Sequence, residues 1–166
     1  KSLAWIFSVL MASSVVPPEG IPAADEGTLR LFLKLGCPFC MRLTIFLAEA
    51  KLLDKVTPIY DYPVVREYIG AINDGKVSFP ALELEPGVIM LESGDIMNKF
   101  AVENGVDPAT CWVLNYFNNG MMKSFGALFK AKIEAAGGYP EASAWLSETT
   151  GVKLPEAEEG RALKLE

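Results

Sequence analysis

One junction constrains the fold of this chain more than any other. Leu29, Leu31, Leu33 and Leu35 alternate with Arg30, Phe32 and Lys34, which is the period of a strand. Gly36 then breaks the pattern and Pro38 takes a first helical position. Leu43, Phe46, Leu47 and Ala50 follow with the i, i+3, i+4, i+7 stripe of an amphipathic helix. Two thiols, Cys37 and Cys40, sit where the strand gives way to the helix.

The same grammar continues downstream. Lys55 to Tyr60 reads as a second strand, and Pro58 within it lacks the N–H a ladder needs, which predicts a sheet edge. Val64 to Asn73 reads as a helix that stops at Asp74-Gly75. Ala81 to Leu84 and Val88 to Leu91 flank Glu85-Pro86-Gly87, and Pro then Gly suits the centre of a tight turn, so a hairpin is expected. Ser93 can cap a helix running to Glu103, closed by Asn104-Gly105. Strand, helix, strand, helix, hairpin, helix predicts a small α/β sheet with parallel and antiparallel pairs.

Four stretches follow from this reading. Residues 28–105 hold the sheet unit, 106–150 a short helical extension and 151–166 a charged tail, with an apolar segment and Pro-rich linker over 1–27. In the extension, Asp107-Pro108 opens a helix towards Asn118-Asn119-Gly120, and Pro140 to Glu148 gives a last short one. Met122, Phe125, Phe129 and Ile133 mark a helical face that reads as core rather than as a cofactor box. The apolar run that opens at Leu3 and reaches Val16 falls short of the roughly twenty residues needed to span a bilayer. It reads either as an extra helix on the domain or as a dock for a protein partner or membrane surface. Trp5, Ile6, Val9 and Leu10 are then expected to be covered by something other than the sheet unit.

The composition narrows the chemistry. Fifteen basic against twenty-one acidic residues, net −6, argue against a nucleic-acid partner. There is no histidine, which removes histidine general bases, serine–histidine triads and Cys/His zinc sites. Three cysteines without histidine fall short of a structural zinc set unless a carboxylate joins them, and no metal is expected. Cys111, among Trp112, Leu114 and Phe117, reads as a small buried hydrophobe. Cys37 is different. At a helix start, unpaired N–H groups and the helix dipole favour a thiolate, and thiol pKa values there fall to about 3.5–7.5. Lys34 adds a positive charge three residues earlier, and Cys40, one turn later, is placed to attack a mixed disulfide formed at Cys37. The bland alternative is a vestigial pair.

Three segments carry a family resemblance. Lys34-Leu35-Gly36-Cys37-Pro38-Phe39-Cys40 resembles the glutaredoxin active-site motif. Ser78-Phe79-Pro80 is similar to the cis-proline segment of thioredoxin-like folds. Glu92-Ser93-Gly94-Asp95-Ile96 resembles the Glu-Ser-x-x-Ile signature of glutathione transferase N-terminal domains. The resemblance implies a thioredoxin-like, mixed four-stranded sheet with a cis peptide before Pro80. It implies Cys37 as nucleophile and Cys40 as resolving thiol, with Lys34, Phe39, Phe79, Pro80, Glu92 and Ser93 around glutathione. Ser93 can serve as helix cap and ligand at once, and Glu92 reads equally as a solvated turn residue. Phe79 departs from the usual valine, and the helical extension is smaller than a transferase's second domain.

The expected function is a glutathione-linked thiol–disulfide oxidoreductase, with glutathione as co-substrate and protein disulfides or glutathionylated thiols as partners. The alternative is a non-catalytic, transferase-like subunit of a larger, membrane-associated assembly. The chain also resembles plastid and cyanobacterial proteins that fuse a C-P-F-C unit to transferase-like helices. That resemblance implies an organelle, with plastid (a thylakoid association included) ahead of mitochondrion and cytoplasm as the remaining placement.

Overall fold

The computed structural model describes residues 17–150. The apolar run through Val16, with Trp5, Ile6, Val9 and Leu10, and the tail 151–166 lie outside the described residues. Four strands, β1 (Leu29–Leu33), β2 (Val56–Tyr60), β3 (Ala81–Glu85) and β4 (Val88–Met90), form one sheet in the order β2-β1-β3-β4. β1 and β2 run parallel, while β1–β3 and β3–β4 are antiparallel. This is the mixed thioredoxin-like sheet the sequence predicts. Pro58 lies opposite Leu31 in the edge strand β2, where a missing donor breaks no second ladder.

β1 ends at Leu33, two residues before the leucine alternation does. Lys34 to Cys37 instead form a turn in which the Cys37 N–H donates to the Lys34 carbonyl at 3.2 Å. Gly36 has φ +72°, a conformation that suits the third position of a type II turn. The turn delivers the chain into α1 (Pro38–Glu49). α2 (Pro63–Ile72) and α3 (Ser93–Asn104) complete the sheet unit, and Gly105 at φ +64° ends α3 in the left-handed conformation.

The sheet is covered on both faces. Leu31 and Leu33 of β1 meet Leu43, Phe46 and Leu47 of α1 and Ile96 and Phe100 of α3 on one side. Phe32 meets Val65, Tyr68 and Ile69 of α2 on the other. Complete burial of each such large side chain contributes roughly 1.5–3 kcal/mol, so the two clusters fix the helices against the strands.

A polar network crosses the second layer. Glu83 of β3 is 4% exposed, and its carboxylate sits 3.0 Å from Arg30 Nε. It also accepts bonds from the Tyr68 hydroxyl and, at 3.1 Å, from the Gly87 N–H in the β3–β4 turn. One carboxylate thus joins β1, α2 and the hairpin turn.

The extension departs from expectation at its start. The helix predicted from Asp107 is a single 3₁₀ turn, Pro108–Thr110, whose Ala109 N–H bonds to Asp107 Oδ1 at 2.9 Å. Cys111 is extended and buried, and α4 (Trp112–Asn119) begins after it. The break has a cause in α1, where Glu49 accepts the N–H groups of Val113 and Leu114 at 3.0 and 2.8 Å. A carboxylate on those free N–H groups, at the positive end of the dipole, caps the new helix start. α5 (Met121–Ala136) and α6 (Tyr139–Thr150) follow, joined by Lys132 Nζ at 4.3 Å from the Trp145 ring centre.

The described part of the linker is bonded to the sheet unit. The Tyr62 hydroxyl donates to the Gly20 carbonyl, and the Asp25 N–H donates to Thr57 Oγ1 at 2.9 Å. Among the described residues, no helix is long and apolar enough to cross a membrane.

Candidate functional site

Cys37 is the N-cap of α1. Its backbone is extended (φ −82°, ψ 117°), Pro38 follows at the first helical position, and its Sγ accepts the Cys40 N–H at 3.4 Å. A cap residue normally offers oxygen to that N–H; here sulfur takes the role, and the anionic form is the better acceptor. The Cys37 pKa falls to about 6. The hydrogen bond from the Cys40 thiol is the main cause; burial opposes it, and the Cys40 and Phe39 N–H groups and the Lys34 charge assist. Cys40 is shifted the other way. Held as donor to Cys37 and buried at 4% exposure, its thiol is pushed up, and the Lys34 N–H reaches its sulfur at 3.4 Å. One thiol is set to be charged near neutral pH and the other to keep its proton.

The folded-state pKa of Cys37 lies below its unfolded value. Its stabilising contribution is therefore complete above the unfolded thiol pKa and disappears as pH falls through about 6. The same shift is measurable as reactivity. Alkylation of Cys37 by iodoacetamide, followed by peptide mapping, should rise with a midpoint near pH 6. In Cys40→Ala the midpoint should move up, because the largest cause is removed. A wild-type midpoint above pH 8 would show that the cap geometry does not stabilise the thiolate.

A cleft of about 750 Å³ opens beside Cys37. Lys34, Cys37, Phe39, Phe79, Pro80, Glu92 and Ser93 all line it, whereas Cys40 lies behind it in the core. The Phe79–Pro80 peptide is cis, and the Phe79 carbonyl is 3.8 Å from Cys37 Sγ. Glu92 precedes α3 with φ +65°, an uncommon conformation for a residue with a Cβ.

Two expectations need correction. Ser93 is not the cap of α3: Glu92 holds that position, and Ser93 is the first helical residue. Its hydroxyl accepts instead from Arg42 Nη2 at 2.7 Å. The stripe on α5 is not core either. Met122, Phe125, Phe129 and Ile133 line the cleft, with the Phe125 and Phe129 rings stacked at 5.3 Å. None of the α5 residues is fully buried, because α5 rests on α4 and α6 and leaves its apolar face towards the opening.

Two cleft residues carry no sequence motif. Asp61, 1% exposed, follows β2 and receives Arg66 Nε and Nη2 at 2.6 and 2.5 Å. Its own N–H donates to the Leu33 carbonyl at 2.8 Å, which ties it to the end of β1. Both residues line the cleft, and Arg66 remains half exposed beside it. The available signal was an acidic residue at the second strand-to-helix junction, the counterpart of the junction that carries Cys37.

Residues 36–102 match the family model of the glutathione S-transferase N-terminal domain. Among solved structures, the chain is similar to glutathione transferase Omega 1C from Trametes versicolor, at 22% identity and TM-score 0.43, over 78% of this chain and 61% of that one. Omega 2C from the same organism gives 21% and 0.42, over 79% and 63%. A glutathione transferase homologue from Sulfitobacter, solved with bound glutathione, gives 21% and 0.37, over 75% and 66%. The chain spans less than two thirds of each of these proteins. No curated protein matches it.

Proposed function

We propose that this thioredoxin-like chain, whose residues 36–102 match the family model of the glutathione S-transferase N-terminal domain, is a glutathione-linked thiol–disulfide oxidoreductase. The observation that carries the reading is the opposed pair of thiols: a partly exposed Cys37 lowered to about pH 6 at a helix start, and a buried, protonated Cys40. Exchange needs an attacking thiolate at ambient pH and a second thiol held in reserve.

In the first step the Cys37 thiolate attacks the glutathione sulfur of a glutathionylated thiol. A Cys37–glutathione disulfide forms, the old S–S bond breaks, and the departing thiolate takes a proton from water. A second glutathione thiolate then attacks the bound glutathione sulfur, which yields oxidised glutathione and restores Cys37. In the dithiol branch, Cys40 attacks the Cys37 sulfur and glutathione leaves with the Cys40 proton. Two further glutathiones reduce the resulting Cys37–Cys40 disulfide. Loss of the Cys37 charge removes the main force that keeps Cys40 protonated, so the reserve thiol is released once it is needed.

The other cleft residues take roles by chemistry. Lys34 and Arg66 offer positive charge to a carboxylate of glutathione, the backbone at Phe79 and Pro80 offers hydrogen bonds to its cysteine, and Glu92 and Ser93 meet its γ-glutamyl end. Phe39 closes one side of the cleft, and the α5 stripe gives the departing partner an apolar wall.

The test is to trap the intermediate. Cys40→Ser incubated with oxidised glutathione should carry one glutathione, mapped to the peptide that holds Cys37. Modification at Cys111 alone, or no adduct, would overturn the reading and favour a non-catalytic subunit.

A further inference from the structure

The start of α3 holds a contact that the exchange chemistry does not use. Arg42 lies on α1, five residues after Cys37, and reaches Ser93, 51 positions away, with Nη2 at 2.7 Å from Oγ. Its guanidinium stands 5.9 Å from the centre of the Phe39 ring, a cation–π contact that helps hold it. Its Nε is buried without a partner among the described residues, so Ser93 is the polar group that secures this side chain. Ser93 is 3% exposed, yet it lines the cleft.

The direction of this bond has a consequence. A guanidinium can only donate, whereas a hydroxyl has one hydrogen and two lone pairs. Ser93 Oγ must therefore accept from Arg42, and its own hydrogen is turned away from the cation. What remains for a ligand is an O–H donor, polarised by an adjacent positive charge. The N–H groups of Asp95 and Ile96 already donate to the Glu92 carbonyl at 3.0 Å each. Those of Ser93 and Gly94 have no such partner among the described residues. The free N–H groups of Ser93 and Gly94 and the Ser93 hydroxyl hydrogen are all donors, which suits a carboxylate.

We propose that Arg42 is a positioning residue that sets Ser93 as a donor and so selects the carboxylate at the γ-glutamyl end of glutathione. The inference rests on the reading that the cleft holds glutathione, and its test is binding rather than turnover. The full chain is titrated by calorimetry with S-methylglutathione and with S-methylcysteinylglycine, which lacks the γ-glutamyl arm. Neither probe can exchange with Cys37.

Arg42→Met keeps the apolar stem and removes the donor. It should weaken S-methylglutathione about tenfold, the scale of one charge-assisted hydrogen bond, and change the dipeptide probe by no more than about twofold. Ser93→Ala should cost about the same, and the double variant no more than either alone, since Arg42 acts through Ser93. Arg42→Lys should recover part of the loss. Equal weakening of both probes, or additive losses in the double variant, would overturn the proposal by making Arg42 a brace between α1 and α3. Should Arg42→Met fail to fold, Arg42→Gln and Ser93→Ala carry the same comparison. A wild type that binds neither probe would overturn both readings. One that prefers S-methylglutathione and responds to the variants, yet never exchanges disulfides, would sink the oxidoreductase reading and support this one.

Discussion

Cys37→Ser should reduce glutathione-dependent turnover of a glutathionylated substrate by about a thousandfold or more, to the uncatalysed background. The reason is chemical as well as electrostatic. A serine hydroxyl is un-ionised near neutral pH, and oxygen cannot hold glutathione through a disulfide, so the covalent route is lost entirely. Cys40→Ser should keep a measurable share of the activity, because free glutathione can resolve the Cys37 intermediate. The serine hydroxyl can also replace the Cys40 thiol as donor to the Cys37 sulfur. Coupled assays of both variants at several glutathione concentrations separate the routes. Activity retained in Cys37→Ser would remove Cys37 as the nucleophile. Equal loss in both variants would make the dithiol branch obligatory.

The largest effect on stability should come from Glu83, far from any thiol chemistry. Glu83→Ala leaves the Arg30 guanidinium, 13% exposed, without its carboxylate, strips the Tyr68 hydroxyl of its acceptor and leaves the Gly87 N–H only the Tyr68 oxygen at 3.0 Å. Breaking one side of a buried ion pair costs about 3–5 kcal/mol, a large fraction of the stability of a domain this size. Urea unfolding should therefore show a strongly lowered midpoint. Glu83→Gln, which still accepts from Tyr68 and Gly87, should lose less. The paired change Arg30→Met with Glu83→Leu should recover much of the loss, since it removes both charges. A loss below about 1 kcal/mol in Glu83→Ala would mean that water replaces the carboxylate.

These two predictions rest on features of unequal visibility. The Cys37 site was legible because its parts are neighbours in the chain: Lys34, Gly36, Cys37, Pro38 and Cys40 fall within seven residues, and turn chemistry, helix start and thiol spacing agree there. Glu83 was not legible. In Ala81-Leu82-Glu83-Leu84-Glu85 it resembles the solvated half of an alternating strand, yet α2 covers that face and brings Tyr68 against it.

The local grammar of the chain specified the order of elements, the edge position of β2 through Pro58, the hairpin at Pro86-Gly87 and the end of α3 at Gly105. Each depends on backbone preferences that act over a few residues. Tertiary packing decided what each face meets. It turned Met122, Phe125, Phe129 and Ile133 towards the cleft, because α5 rests on α4 and α6 and leaves its apolar side unburied. It also brought Arg42 to Ser93 and Glu49 to the start of α4, across 51 and 64 or 65 positions. Periodicity states that a face is apolar or that a carboxylate is present. The partner across the gap is chosen only when the layers close, because that choice depends on burial and hydrogen-bond satisfaction summed over the whole fold.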